Sequence, residues 1–418
     1  MGRPGFRHPQ ADPQVSQAED GLDSYPFAPQ TPFQPSQKLA RRRSDHGPLS
    51  QVILDGHGPA WLVTGYAAAK QVLGDPRFAS WFPGMPTDRL LDEDAAGLLF
   101  VMNGPRHLAI RRAVGAAMGG DTLRQLRART EALAARRVSI LHQRDASVDL
   151  LHELAVPLSA ATLGELLGAP TELCRRLEGL AGEAASMFAP PATPEAGGAE
   201  TRLLQWVEDL IGVDRTHPPA GLVTELLQDH DDKVGLRPAV VPNVVLTLLL
   251  GGLVPPARAL VHGLLRLMQR PGYLDRLRED PALVAPTVEE LLRLDHAVTS
   301  DSFRLATADI ELGGVGVRQG GVVIIAPAAI NRDPGAFERP DEIDPTRAGT
   351  GHLSFAAGAH RCLGAAIARL QLHAGLDAII ASGQTPTLAV GLDQLDWRPG
   401  YFTGLPSLQS QPVRLDSP

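Results

Sequence analysis

Cys362 lies in a short segment whose residue types and spacing could hold a metal ion. Residues 352–372 read HLSFAAGAHRCLGAAIARLQL, and a run of good helix-forming residues begins shortly after the cysteine. Backbone N–H groups and the positive end of a helix dipole favour the thiolate of a cysteine at such a position. A thiolate ligates iron and donates electron density to it. His360, from the same turn, could donate a hydrogen bond to an anionic group beside the metal.

Two other interpretations of this segment stay open from the residues alone. A buried structural cysteine beside an unrelated histidine fits the pattern as well as a metal ligand does. A zinc site would need more thiolate or imidazole ligands at short spacing, and although His352 is near, the second cysteine of the chain is the distant Cys174. Gly358 and Gly364 would let the backbone approach a flat, bulky group closely. Cys174 itself has no such context, and we expect no chemical role for it.

The pattern Phe355-x-x-Gly358-x-His360-x-Cys362-x-Gly364 resembles the haem-binding signature of the cytochrome P450 family. This resemblance implies that haem b is the cofactor and that Cys362 is both its axial metal ligand and the catalytic residue. It also implies that Phe355, His360 and Gly364 are cofactor-binding residues. The resemblance is to the soluble bacterial type and covers nearly all of the chain after residue 24.

A second segment is similar to a cofactor-binding part of the same family. The stretch from Asn103 to Arg111 resembles the segment in which a histidine and an arginine contact the haem propionates. His107 and Arg111 are four residues apart and would share one helix face, which suits two carboxylates. Arg304 matches another propionate-binding position, as His360 does. The resemblance therefore implies that these four side chains bind the cofactor.

Glu290 and Arg293 match the Glu-x-x-Arg helix motif of the family. By itself, an i,i+3 pair of this kind is usually a surface ion pair worth about a few tenths of a kcal/mol. Upstream of a haem-binding cysteine segment, the pair is instead predicted to anchor the fold around the cysteine loop.

The chain departs from the family pattern where the long helix over the haem is expected. Most members have there a glycine followed by an acid and an alcohol, which help deliver protons during oxygen activation. Here Gly251 and Gly252 are followed by Val254 in place of the acid and Pro255 in place of the alcohol, and all four are predicted to line the distal pocket. Neither Val nor Pro transfers a proton. Two successive prolines also predict a kink or break, with free carbonyls near the glycines.

Three mechanisms are compatible with this departure. The substrate, or ordered water held by it, supplies the protons of an otherwise normal oxygen-activating cycle; we favour this one. In the second, the enzyme starts from peroxide or from an N–O or O–O bond of the substrate. In the third, it catalyses one-electron oxidation such as oxidative coupling or cyclisation.

The elements that must position these residues are mainly helical, with a minor β portion. The cytochrome P450 fold implied by the resemblance places the haem between a long central helix and the helix of the cysteine loop. Residues 148–167 are predicted to be helical and residues 78–103 to form a long irregular loop. Short strands are predicted at residues 51–54 and 60–63 around an Asp55-Gly56 turn, and at 303–306, 310–312, 315–318 and 322–325.

The apolar stretch 240–257 is about long enough to cross a bilayer. An asparagine, two glycines and three prolines interrupt it, so a buried central helix is the better interpretation and no membrane association is predicted.

Composition narrows the class of protein further. The 418 residues carry a formal net charge of −8, which argues against nucleic-acid binding because the chain has no excess of positive charge to neutralise phosphates. Two cysteines far apart favour a reducing cytoplasm over a disulfide scaffold. Residues 1–24 are rich in Pro, Gln, Gly and Asp with no apolar core, which predicts a flexible tail and no signal peptide. Residues 25–418 are predicted to form a single haem-thiolate oxygenase domain.

The predicted function is oxidation of a small or medium organic molecule in secondary-metabolite biosynthesis. The oxygenase fold takes up the whole length, so a separate ferredoxin or flavodoxin is the expected redox partner. A non-catalytic P450-like partner protein and a haem-based gas sensor are the alternatives from other classes. Retention of the cysteine and the propionate-binding positions argues against the first alternative, and the lack of a signalling domain argues against the second.

Overall fold

The computed structural model describes residues 22–82, 98–144, 146–181, 194–216, 221–228, 240–294, 301–347, 351–399 and 406–416. Helices dominate this part of the chain, as predicted, and the β portion is smaller. The helices are α1 (Gln37–His46), α2 (Tyr66–Gly74), α3 (Gly104–Ala117), α4 (Gly120–His142), α5 (Val156–Leu167), α6 (Thr171–Gly179), α7 (Pro194–Thr216), α8 (Leu222–Gln228), α9 (Val241–Gly252), α10 (Val254–Met268), α11 (Tyr273–Glu279), α12 (Val284–Leu294), α13 (Pro327–Ile330) and α14 (Ala365–Ala381).

The largest sheet pairs strands from residues 24–80 with two strands from residues 302–325. Its strands are β1 (Ser24–Tyr25), β2 (Leu49–Leu54), β3 (Gly58–Val63), β4 (Phe78–Ser80), β6 (Ser302–Ala306) and β9 (Val322–Ile325), in the order β1-β2-β3-β9-β6-β4. The antiparallel pair β2–β3 turns at Gly56, whose φ of 74° lies in the left-handed region that glycine adopts without strain. The predicted strands around Asp55-Gly56 are therefore confirmed.

The prediction of an irregular loop over residues 78–103 is wrong for its first three residues. Phe78–Ser80 is a strand that pairs antiparallel with β6, and the register sets Ser80 opposite Arg304. The pairing partner lies more than 200 residues away, so no local periodicity marks so short a strand. Residues 83–97 of the predicted loop lie outside the described residues.

The smaller sheets are local or link distant segments. They comprise β7 (Ile310–Leu312) with β8 (Val315–Val317), β11 (Trp397–Pro399) with β12 (Pro406–Leu408), and β10 (Thr385–Leu388) with β13 (Pro412–Asp416) and β5 (Val148–Asp149). The predicted helix 148–167 is therefore interrupted at its start. Val148 and Asp149 pair with β13, and a π-helical turn, Leu151–Ala155, precedes α5. The Asp149 carboxylate accepts N–H bonds from Leu151 and from Gln411, which fixes this local departure from the helix.

The central apolar stretch is broken, as the two prolines predicted. Helix α9 ends at Gly252 and α10 restarts at Val254, with Leu253 between them at φ −90° and ψ −62°. A helix that restarts here carries Pro255 and Pro256 in its first turn, where N–H groups have no intrahelical acceptor in any case. The Leu253 N–H still bonds to the Leu249 carbonyl at 3.1 Å, so each face of α9 continues into the corresponding face of α10 across the break.

This central pair of helices lies inside the protein. Val241–Met268 is long and apolar enough to pass as a membrane span, with a mean hydropathy of 1.9, but 72% of its most apolar window is buried against the rest of the chain. Close approach fixes α10 against α14, because a Cβ on Gly375 would lie 2.4 Å from Leu260. These observations fit the predicted buried central helix.

The folded part of the chain includes the last residues of the predicted tail 1–24. Ser24 pairs with Ile53 in the parallel β1–β2 ladder, and the Asp23 carboxylate binds Lys38 at 2.7 Å and Arg42 at 3.1 Å. Residues 1–21 lie outside the described residues.

Candidate functional site

The cysteine segment forms a tight loop just before α14. The Cys362 N–H donates to the Phe355 carbonyl at 2.8 Å, and the Arg361 N–H donates to the Gly358 carbonyl at 3.1 Å. Gly358 has a φ of 69°, and a Cβ there would lie 2.1 Å from the Leu73 carbonyl oxygen at the end of α2. Both constraints require glycine, so the loop is fixed by its own hydrogen bonds and by the end of α2.

The Cys362 sulfur lies in a recess of the protein. Its side chain is accessible, yet enough protein surrounds it that burial raises the pKa of the thiol. The Gly364 N–H and the charges of Arg111, Arg369 and Arg361 act in the opposite direction. In the protein by itself, burial of the Cys362 thiol therefore outweighs the groups that favour its thiolate form. Metal binding would displace the thiol proton, as it does for every cysteine ligand.

Two histidines from distant segments stack beside this recess. The rings of His107, on α3, and His360, in the cysteine loop, are 4.3 Å apart with 20° between their planes. His360 Nε2 lies 3.3 Å from Asn103 Oδ1, and Asn103 also accepts the Ser80 N–H. Burial, followed by neighbouring positive charge, lowers the pKa of His107 to about 4 and that of His360 to about 2. Both rings are therefore neutral at pH 7.

Arg304 is buried on β6 and adds a positive charge to the same site. Its Nη1 donates to the Phe303 carbonyl at 2.8 Å, and burial alone lowers its pKa to about 10. Its charge depresses the pKa of His360, which shows that the guanidinium lies close to the cysteine loop. A buried guanidinium in this state needs an anion to stabilise it.

Arg111 links α3 to the cysteine loop. Its Nη2 donates to the Arg361 carbonyl, and its charge acts on His107, His360 and Cys362. Burial lowers its pKa and the proximity of Cys362 raises it. Arg111 is thus close to both the stacked histidines and the sulfur.

The arrangement fits an anionic group with two carboxylates. His107 Nε2 is buried with no hydrogen-bond partner among the described residues, so the bond from His107 to the Leu99 backbone uses Nδ1. An orphan buried nitrogen is costly unless a ligand satisfies it. A carboxylate at Nε2 would accept a hydrogen bond from Nε2–H and favour the protonated ring, and its charge would also compensate Arg304 and Arg111. The residues present therefore fit the propionates of a haem.

The predicted Glu290–Arg293 pair is a buried, bidentate ion pair on α12. Arg293 Nε and Nη2 each lie 2.8 Å from a Glu290 carboxylate oxygen, and the residues are 1% and 5% exposed. Arg347 completes the pair with an Nε contact of 3.1 Å to Glu290. The guanidinium of Arg293 also donates to the carbonyls of Asn331, Pro340 and Glu342.

A chain of hydrogen bonds connects this ion pair to the cysteine loop. The Asn331 side chain accepts the Leu353 N–H and donates to Ser354 Oγ, both at 2.8 Å. Ser354 Oγ in turn donates to the Leu292 carbonyl of α12 at 2.7 Å. The pair therefore holds residues 331–347 and the start of the cysteine segment against α12.

The four predicted distal residues lie on different faces of the broken helix. Gly251 is exposed with no atom within 4 Å of a Cβ position, and Pro255 is half-buried. Gly252 faces Leu163 of α5 at 3.3 Å, and Val254 is buried. Since Pro255 has no N–H, the Gly251 carbonyl loses its i+4 donor on the accessible face.

The sequence also contains a second cysteine, Cys174, and left a zinc site open as an alternative. Cys174 is half-buried on α6, and its Sγ donates weakly to the Ala169 carbonyl. Among the residues that the structure describes, no group of three or more His, Cys, Asp or Glu side chains is placed to hold a metal ion, which does not favour the zinc alternative. Arg347, which this geometry singles out, carried no signal in the sequence because its role depends on distant neighbours.

The fold and the site together fit a protein that holds an anionic cofactor beside a cysteine. Comparison with known proteins gives the family. The cytochrome P450 family model matches residues 212–382. The chain is 33% identical over 396 residues to nocardicin C N-oxygenase of Nocardia uniformis subsp. tsuyamanensis, covering 94% of this chain and 97% of that one.

Solved structures agree with this comparison. CYP105P1 in complex with filipin I has a TM-score of 0.85 at 26% identity, covering 95% of this chain and all (100%) of that one. The LnmA cytochrome P450 hydroxylase from the leinamycin pathway of Streptomyces atroolivaceus S-140 has a TM-score of 0.82 at 30% identity, covering 94% and 100%. The chain belongs to the cytochrome P450 family and has its fold. It is a haem-thiolate oxidoreductase, a monooxygenase by its relatives, that oxidises an organic small molecule.

Proposed function

We propose that this chain is a biosynthetic oxygenase in which Cys362 holds the haem iron. His107, Arg111, Arg304 and His360 bind the propionates. The observation that carries this proposal is the set of buried imidazoles and guanidinia beside the recessed Cys362 sulfur. Haem bound by a thiolate supplies oxygen activation and oxidising power, and the residues of this chain supply the binding, the orientation and the exclusion of water.

In this proposal, different residues of the cysteine loop position the Cys362 backbone and interact with its sulfur. The Phe355 carbonyl fixes the backbone of Cys362, and the Gly364 N–H donates toward the sulfur. A hydrogen bond to a thiolate sulfur moderates its electron donation and so tunes the metal. Gly364 has no atom within 4 Å of a Cβ position, which leaves room for a flat group to approach the loop.

The substrate in this proposal is a secondary metabolite or its precursor, and the enzyme acts in the cytoplasm. The support is the set of relatives, whose printed names include a nocardicin N-oxygenase and a leinamycin-pathway hydroxylase. Electrons come from a separate ferredoxin or flavodoxin, which docks on the cysteine side. Arg111 and Arg361 at the cysteine loop add positive charge to that side, which favours an acidic partner.

Proton delivery in this proposal relies on the substrate or on ordered water. Val254 and Pro255 carry no exchangeable proton, and Val254 is also buried away from the accessible face. The Gly251 carbonyl, which lacks its helical donor, is an acceptor for a water molecule on that face. Use of peroxide or of an N–O or O–O bond in the substrate, and oxidative coupling or cyclisation, are the competing mechanisms.

The ligand assignment is tested by the reduced carbon-monoxide difference spectrum. Wild-type protein and the Cys174→Ser variant should show the thiolate signature, and Cys362→Ser should lose it. Haem-loaded, folded wild type without that signature would overturn the assignment. Purified wild type without a Soret band would instead favour the non-catalytic partner protein.

The mechanism is tested by the source of oxidant. Compounds that shift the haem spin state would be turned over either with surrogate ferredoxin, its reductase and dioxygen, or with hydrogen peroxide alone. Tightly coupled turnover with the redox partners supports substrate- or water-assisted proton delivery. Turnover confined to peroxide supports the second mechanism, and dimeric or ring-closed products without oxygen insertion support the third.

A further inference from the structure

An accessible stripe runs along one face of the broken central helix. Thr247, Gly251, Pro255 and Arg258 follow one another at spacings of four, four and three residues, which keeps them on one helix face. All four are half-buried or exposed, whereas their neighbours Leu248, Leu250, Leu253 and Val254 are buried. The stripe contains Gly251 and Pro255, which the resemblance in sequence predicts to lie over the haem.

The two ends of the stripe are marked by contacts with other segments. At one end, Thr247 Oγ1 accepts the Leu99 N–H at 3.0 Å, and the backbone of Leu99 also bonds to His107. At the other end, one turn beyond Arg258, the His262 Nε2 accepts the Leu408 N–H at 3.3 Å and the His262 ring contacts Trp397 at 5.4 Å. The β11–β12 pair therefore covers the helix face just after Arg258. Arg258 therefore lies between Gly251, which is predicted to lie over the haem, and the β11–β12 pair.

Arg258 is desolvated without compensation in the described part of the chain. Burial is the sole cause of the lowering of its pKa, with no carboxylate acting against it. Two other half-buried arginines differ, since Arg347 binds Glu290 and Arg369 binds Glu289 in a bidentate pair. A partly desolvated guanidinium that keeps an accessible surface is suited to binding a planar anion through its fork of N–H groups.

We propose that Arg258 binds a carboxylate of the organic substrate, so that this P450 acts on carboxylic acids. The inference rests on the proposed function, because it places the substrate on the accessible stripe. The propionates have their own donors in His107, Arg304 and His360, so Arg258 is left for a second anion. Arg258 is the third residue after Pro255, about 4.5 Å further along the axis, which puts a bound carboxylate next to the position that lacks an alcohol.

This placement also bears on proton delivery. A carboxyl group held by Arg258 exchanges protons with water, and the neighbouring Gly251 carbonyl accepts a hydrogen bond from such water. The helix face that carries no acid or alcohol of its own thus gains an ionisable group from the substrate. The proton taken up at the reacting centre would come from this carboxyl or its water and be replaced from solvent.

The test measures binding rather than turnover. Decanoate and 4-phenylbutyrate would be titrated against decanamide and 4-phenylbutyramide, using the Soret spin-state shift of the haem-loaded protein. Wild type should bind each acid at least about tenfold more tightly than its amide, since a charge-assisted pair replaces a neutral hydrogen bond. Arg258→Met should abolish this preference while the amides bind as before, and Arg258→Lys should retain part of it. The control Arg136→Met removes an exposed arginine on α4 and should change nothing.

Two results would overturn the inference. One is equal binding of acids and amides by the wild type; the other is a preference for acids that survives in Arg258→Met. The carbon-monoxide difference spectrum of every variant separates this failure from that of the proposed function. A retained thiolate signature with no acid preference removes the role of Arg258 alone, and loss of the signature in wild type removes the proposed function itself.

Discussion

His107 and His360 stack with their ring centroids 4.3 Å apart, although 253 residues separate them in the chain. The contact joins α3 to the cysteine loop, and the buried Nε2 of His107 has no partner in the described protein. Burial lowers the pKa of both imidazoles, and neighbouring positive charge lowers both further with no carboxylate among the described residues to counteract it. One buried imidazole nitrogen without a partner, beside two guanidinia without a carboxylate, is the clearest physical mark of an anionic cofactor.

Replacing His107 by Phe should weaken haem retention. Phenylalanine keeps the ring against His360 but removes the nitrogen that faces the proposed propionate. One hydrogen bond to a charged group is worth about 1.5–3 kcal/mol, so haem loss should accelerate about tenfold or more. The rate of haem transfer to apomyoglobin measures this. His152→Phe, at a mostly exposed histidine, is the control, and equal rates in the two variants would remove the propionate role of His107.

Replacing Glu290 by Gln should destabilise the protein far more than the same change in an exposed pair. The Glu290–Arg293 pair is buried, and removing one partner leaves an uncompensated charge at a cost of about 3–5 kcal/mol. Glu172 and Arg175 have the same i,i+3 spacing on α6 with side chains 68% exposed, so Glu172→Gln should cost less than about 1 kcal/mol. Urea unfolding of both variants measures the difference. Similar midpoints for the two would show that Glu290 does not anchor the fold.

The buried Asp301 should make stability fall as the pH rises. The Tyr25 hydroxyl donates to Asp301 Oδ2 at 2.6 Å, and burial raises the pKa of this carboxyl from 3.8 to about 8. Between these two values the folded protein keeps the proton that the unfolded chain has lost, so the unfolding free energy decreases with increasing pH. Below pH 3.8 both states are protonated, and above about pH 8 both are ionised.

The matched variant for this effect is Asp301→Asn, which keeps an oxygen to accept from Tyr25 but cannot ionise. Thermal unfolding would be followed from pH 5 to pH 8 in both proteins. Wild type should lose more stability over this range than Asp301→Asn, and the variant should be the more stable of the two at pH 8. Parallel profiles would contradict the raised pKa of Asp301.

Replacing Gly358 by Ala should disrupt the cysteine loop. The added Cβ would lie 2.1 Å from the Leu73 carbonyl oxygen, and the φ of 69° is unfavourable for alanine. The loop must shift, so the thiolate signature in the carbon-monoxide spectrum should diminish and the Tm should fall. Gly316→Ala, where no atom lies within 4 Å of the Cβ position, is the control. An unchanged spectrum in Gly358→Ala would show that the loop tolerates movement there.

Much of the fold follows from local patterns in the sequence. The β2–β3 hairpin, the strands from β6 to β9 and the helix after Cys362 were predictable because their periods and turn residues act over a few residues. The break at Leu253 was predictable for the same reason, since a proline acts on its own turn. Strands β4 and β5 were missed because their pairing partners lie in distant segments.

Some features of the candidate site follow from the sequence, and others follow only from the tertiary structure. The spacing around Cys362, the i,i+4 relation of His107 and Arg111, and the absence of an acid and an alcohol at Val254 and Pro255 are properties of the sequence by itself. Tertiary structure decided which side chains meet. It buried Glu290 and Arg293 in a network with Arg347 and set His107 against His360. It also left Arg258 on the accessible face and turned Gly252 toward α5. The physical reason is that burial and long-range contact set the energy of a charged group, and neither is encoded in its neighbours along the chain.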